Sequence, residues 1–129
     1  YHPDWMPTLA KVVGAKSPTE IDGINLLPSL TGVGTQTPHK FMYWEFPEGT
    51  QQQVLLLNGD RDDLGRWKVI RPKLRKNPEL VELYDLKLDP DETKNIAKDH
   101  PKIVKHALQI MREEHSTSTL FPIKPLDAE

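Results

Sequence analysis

Proline occupies twelve of the 129 positions in this chain. A residue with a fixed φ and no N–H breaks a helix interior and has no place in a central strand. The chain must therefore fold as many short elements with hard stops. Between those stops the hydrophobic pattern changes period. In the first part, DWMPTLAKVVG reads as a helix: Asp4 is a plausible N-cap, Pro7 falls in the first turn, and Gly14 is a natural stop. Met6, Leu9, Val12 and Val13 form its apolar face. INLLPSLTG is one helical turn or two, ended by Gly32, and VGTQTPHK is polar.

From residue 41 the pattern becomes strand-like. FMYWEF (41–46), QQQVLLLN (51–58), RWKVIR (66–71) and LVELYDL (80–86) are rich in aromatic and β-branched residues and are separated by polar turns. Short links of this kind favour an antiparallel meander. A helix capped by Asp99 then begins near His100-Pro101. Ile103, Val104, Ala107, Leu108 and Met111 recur along it at helical spacing and should cover one sheet face. The tail STSTLFPIKPLDAE should be extended and anchored by Leu120 and Phe121. The expected class is α+β: a four-stranded antiparallel sheet packed by a C-terminal helix, with an N-terminal helical arm. The arm and linker would span 1–37, and the sheet subdomain 38–129.

Composition excludes several functions. The length suits one domain with a core, not two. A net charge of −2 argues against nucleic acid as a partner. Without cysteine there is no disulfide, thiolate metal site or cysteine nucleophile. No apolar run reaches membrane-spanning length, so no membrane partner is expected. YHPDWMPT lacks a signal-peptide pattern and does not start with Met, which suggests a chain processed or cut from a larger one.

Few residues offer chemistry. ELYDLKLDPDETKN (82–95) gathers Asp85, Asp89, Asp91 and Glu92. Set against a calcium loop starting at Asp89, the sixth position is Lys94 where Gly is needed, and the twelfth is His100 where a bidentate Glu is needed. A turn is the better reading, with Asp91 and Glu92 at the start of a short helical turn around TKNIA. No metal ligands are assigned. The five histidines form no HxH or HxxxH pair, and His106 and His115 read as solvent-facing helix residues. His39-Lys40 lies in a polar loop and could touch an anion. Trp44 and Trp67 read as core or interface residues, and RPKLRK (71–76) as a solvated hairpin tip. NGDRDDLGR (58–66) suits a surface turn or a substrate-edge loop equally. There is no GxSxG, GxxxxGK[ST] or GxGxxG.

In order along the chain, DWMPTLAKVVGA, DGINLLPSLTG, YWEF, GRWKVI and ELYDLKLDPDETKNIAKDHP resemble the C-terminal part of type I (formylglycine-dependent) sulfatases. The likeness is to the arylsulfatase and N-acetylgalactosamine-6-sulfatase kind, and it spans Asp4 to the helix near Met111. It departs at Asn25, where the family usually has Ser, and at Asp63, where it often has Arg.

The resemblance implies a parent enzyme that hydrolyses sulfuric esters, on a carbohydrate, with a formylglycine nucleophile and a calcium ion. Both would lie in a larger N-terminal domain. Formylglycine arises in a C/S-x-P/A-x-R motif, and no arginine of this chain has Cys or Ser four residues before it. The resemblance therefore implies an inactive fragment with no cofactor of its own. It would pack on the catalytic domain and wall the substrate cleft. His39, Lys40, Arg61 and Arg66 are its candidate substrate contacts, and no catalytic residue is assigned. A secreted or periplasmic location also follows from the resemblance alone. The helix of the arm would belong with the catalytic domain. Cut free, it should pack on the small sheet or on a second copy, giving a dimer in crystals. The alternative is a free-standing carbohydrate-binding or interaction module derived from such a domain.

Overall fold

The structure is a computed structural model and describes residues 1–59 and 65–127. It divides into two compact units, Tyr1–His39 and Lys40–Glu129.

In the first unit a single 3-10 turn, His2–Asp4, runs into helix α1, Trp5–Val12. Asp4 holds the N-cap position but does not cap with its side chain. Its carboxylate instead accepts from the backbone N–H of Ile24 at 2.9 Å. Thr8 donates to the Asp4 carbonyl at 2.6 Å, and its hydroxyl accepts from Leu26 N–H at 2.9 Å. The buried side of α1 is therefore its polar side, holding Pro7 and Thr8 beside buried Asp4. Met6, Leu9, Val12 and Val13, the expected apolar face, are exposed. Gly23 admits no side chain, because a Cβ there would lie 2.1 Å from the Pro3 carbonyl oxygen. A second helix, α2 (Leu27–Thr31), ends at Gly32, whose φ of 69° suits the left-handed C-cap.

The second unit is built on β1 (Phe41–Phe46), β2 (Gln52–Leu57), β3 (Trp67–Arg71) and β4 (Glu82–Asp85). They form an antiparallel sheet in sequence order, which is the meander predicted from the short polar links. Register sets Leu55 between Tyr43 and Val69, and Val69 opposite Leu83. A slip of one residue would turn this whole apolar set outward. Helix α3, Pro101–Glu113, lays Ala107, Ile110 and Met111 on the same set to close the main core. Each fully buried Leu or Met contributes about 1.5–3 kcal/mol of transfer free energy.

Four sequence expectations need correction here. The N-cap of α3 is His100, not Asp99; with Pro101 at the first helical position, the residue before it is the one held extended. Leu120 and Phe121 do not anchor the tail, being 81% and 62% exposed. The anchors are Ile123 and Leu126, which bury with Leu74 in a second small core, and the tail ends in a short helix, α4 (Lys124–Asp127). Leu74 belongs to RPKLRK, so that run is not a fully solvated tip. TKNIA forms no helical turn. Asp89, rather than Asp91 or Glu92, caps this segment, accepting from the N–H groups of Thr93 and Lys94 at 3.0 and 2.9 Å.

The other sheet face carries Met42, Trp44, Val54, Leu56 and Ile70. These are half-buried and belong to neither core.

Candidate functional site

The acidic cluster of 82–95 resolves into separate structural pairs. Arg66 Nη2 donates to Asp85 Oδ2 at 2.7 Å, and its Nε reaches the same carboxylate. The hydrogen bonds from Arg66 are the main cause that holds the Asp85 carboxyl below the usual Asp range, against the opposing effect of burial. Lys68 pairs with Glu92 at 2.7 Å. Backbone N–H groups of Thr93 and Lys94 hold the half-buried Asp89 carboxyl below the usual Asp range. With these partners the carboxylates do not converge. No group of three or more His, Asp or Glu able to hold a metal occurs among the described residues.

The four candidate contacts end in different settings. His39 Nε2 lies 2.9 and 3.0 Å from the two oxygens of buried Asp4, and Tyr1 meets its ring edge-on at 5.1 Å. Its ring is thus committed to the first unit. Arg66 is committed to Asp85 and lies over the Trp67 ring, 4.6 Å from the centroid. Arg61 lies outside the described residues. Lys40 is exposed, and its ammonium has no partner among the described residues.

Lys40 stands at the mouth of an open cleft of about 600 Å³ between α3 and the sheet end where β1 starts and β2 finishes. Phe41, Leu57, Trp67, Ile103 and Ile110 line it, and Lys102, His106 and Asn58 join Lys40 at its polar edge. Sequence reading singled out Lys40 but missed Lys102. A lysine in the first turn of an amphipathic helix looks like any solvated residue until the fold sets it opposite β1.

A second cavity, of about 660 Å³, lies at the other end of α3 beside Gln53, Arg71, His115 and Asp127. Around it runs a part-buried polar network centred on buried Gln53. Arg71 Nη1 donates to Gln53 Oε1 at 2.8 Å, Gln53 Nε2 donates to the Tyr43 hydroxyl at 2.6 Å, and that hydroxyl donates to Glu45. Burial first, and the Glu45 bond second, push the Tyr43 hydroxyl far above the ordinary tyrosine range. It therefore remains a neutral donor. His115 is not solvent-facing as expected. Its Nδ1 lies 2.7 Å from Glu45 and its Nε2 3.1 Å from Asp127, which ties the end of α3 to both β1 and α4. No local pattern around His115 announced this, because both partners are distant in sequence. The arrangement satisfies every member internally and suits fixing the tail rather than turning over a substrate.

Comparison with known proteins relates this fold to sulfatases. The family model for the C-terminal part of N-sulphoglucosamine sulphohydrolase matches residues 2–117. The Delta 4,5-hexuronate-2-O-sulfatase of Bacteroides thetaiotaomicron is 36% identical over 102 residues, covering 79% of this chain and 20% of that protein. A solved sulfatase structure from Bacteroides thetaiotaomicron superposes with a TM-score of 0.67 at 28% identity, over 85% of this chain and 23% of its own. A second solved structure, of a protein in complex with its substrate D-glucosamine-2-N,6-O-disulfate, gives a TM-score of 0.65 at 25% identity, over 85% of this chain and 22% of its own. The chain thus spans about a fifth of the relatives it matches. It belongs to the sulfatase C-terminal domain family of the N-sulphoglucosamine sulphohydrolase type.

Proposed function

We propose that this chain serves a sulfatase as the domain that packs on its catalytic domain and forms one wall of the substrate cleft, and that the substrate is a sulfated carbohydrate. The observation that carries the packing role is the second sheet face. Met42, Trp44, Val54, Leu56 and Ile70 form an apolar surface outside both cores of the Lys40–Glu129 unit. A contiguous apolar surface of this kind marks an interaction site. The catalytic domain is the partner that fits, since the relatives are about four times as long as this chain. The apolar face of α1 belongs to the same reading. In the chain alone it is where a second copy would pair.

Family resemblance and the two relatives named for sulfated sugars support the substrate class. Calcium and formylglycine belong to the catalytic domain in this reading. The described residues of this chain fit neither: the acidic groups are paired apart, and no C/S-x-P/A-x-R occurs in the sequence. What the chain supplies is shape, apolar contact and positive charge from Lys40, with His39, Arg61 and Arg66 as further contacts to be tested.

The test has two parts. The coding sequence upstream of Tyr1 should continue in frame through a C/S-x-P/A-x-R motif. The 129-residue chain, given calcium and an aryl sulfate, should show no turnover, while the same chain joined to that upstream domain should. A start codon and export signal directly before Tyr1 would overturn the reading in favour of a free module. So would turnover by the chain alone.

A further inference from the structure

Two cavities flank α3, and they differ in charge. In the larger, Arg71 and His115 lie beside Glu79 and Asp127, so positive and negative groups are mixed. In the smaller, Lys40, Lys102 and His106 stand at the mouth with no carboxylate among the described lining residues. None of these three side chains has a hydrogen-bond or ion-pair partner among the described residues. Lys40 and Lys102 come from different elements, one entering β1 and one in the first turn of α3. The fold therefore gathers them across an apolar floor that includes Phe41, Trp67 and Ile103.

We infer that this cleft is a binding subsite for an anionic sugar residue, with its carboxylate or sulfate held between Lys40 and Lys102 and its C–H face on the floor. Two like charges facing one apolar cleft, with no counterion among the described residues, lower the potential energy of an anion placed there. A pyranose fits the remaining surface because one face is C–H and its edge is hydroxyl. His106 supplies a polar contact at that edge, while Asn58 braces it by donating to the Lys40 carbonyl. The inference rests on the proposed carbohydrate role and narrows it to a place on this chain that touches sugar beyond the bond being cleaved.

Calorimetry on the 129-residue chain tests it. Four probes are used: glucosamine 6-sulfate, an unsulfated disaccharide ending in an unsaturated hexuronate, neutral chitobiose, and sodium sulfate. Binding of either anionic sugar, weakened by added salt, is the expected result, and the one that binds identifies the group recognised. Chitobiose and sodium sulfate should give no comparable binding. The variant Lys40→Ala/Lys102→Ala should weaken the anionic sugar roughly tenfold, the scale of two exposed charge contacts, and Lys40→Arg/Lys102→Arg should retain it. No binding by either anionic sugar would overturn the inference. So would equal binding of chitobiose or sodium sulfate, or an affinity unchanged in the alanine variant. Failure here leaves turnover by the joined enzyme untouched, whereas failure of the proposed role shows in that turnover.

Discussion

Helices α1 and α3 are both amphipathic, and they use their faces in opposite ways. Helix α3 buries Ala107, Ile110 and Met111 on the sheet. Helix α1 buries Thr8 and Pro7, next to Asp4, and leaves Leu9 54% and Val13 73% exposed. The first is held by transfer of apolar surface from water, which is large and tolerant of detail. The second is held by a few directed hydrogen bonds to residues 24–26, which are small in sum and intolerant of substitution. A helix whose apolar face is buried inside its own unit and a helix whose apolar face is left open there can thus carry the same periodicity in sequence.

The largest expected effect is on the α3 side. Leu55 is fully buried at the centre of the sheet, so Leu55→Ala should destabilise the Lys40–Glu129 unit by about 2–5 kcal/mol. Chemical denaturation followed by amide exchange in β2 and β3 measures it. A loss below 1 kcal/mol would mean that the sheet core is not closed by α3 as described. On the α1 side, Gly23→Ala must displace the Pro3 carbonyl, and Asp4→Ala leaves the Ile24 N–H and the His39 ring without their acceptor. Each should cost the first unit about 1–3 kcal/mol. Faster exchange at Ile24 and Leu26, with β-strand amides unchanged, is the expected pattern. Uniform loss across the chain would show that the two regions fold as one cooperative unit.

The strands were legible because their signal is local. Alternation in QQQVLLLN and the aromatic run FMYWEF need no partner to be recognised, and the short polar links leave little choice of topology. The amphipathic period of α3 was equally plain. Three misreadings share one physical source. His115, Leu120 and Phe121 were judged by neighbours in sequence, but their settings depend on residues far away. Asp4 does hold the expected N-cap position. Asp4 satisfies the main chain at Ile24 rather than its own helix, because a buried carboxylate gains more from several donors than from one cap. Leu120 and Phe121 lost the anchoring role to Ile123 and Leu126, which sit where the tail meets Leu74. Of the candidate site, Lys40 was legible as a cation in a polar loop. Its pairing with Lys102 was not, since only the packing of α3 on the sheet brings them to one cleft.

A smaller effect, and one that depends on pH, separates the regions further. The Arg66 pair holds the Asp85 carboxyl below its ordinary value. The stabilisation from this pair is complete above the unfolded Asp value of 3.8 and is lost as pH falls through the lowered folded one. Acid unfolding of the second unit should therefore begin below that value. Asp85→Asn should cost about 1 kcal/mol near neutral pH, since Arg66 is partly exposed and can rehydrate, and it should flatten the acid limb. An unchanged acid limb in the variant would assign the acid sensitivity to other carboxylates.

The smallest effect on this chain is the most telling for the comparison. Leu9→Lys and Val13→Lys change exposed positions, so each should shift stability by no more than about 0.5 kcal/mol in the 129-residue chain. If a catalytic domain covers that face, the same substitutions bury a charge at an interface when the two domains are joined. The joined protein should then lose several degrees in Tm and become more sensitive to proteolysis between the domains. Equal tolerance in the chain alone and in the joined protein would mean that α1 is solvated in both. In that case its apolar face would have no role in docking, and the second sheet face with Trp44 would carry the interface by itself.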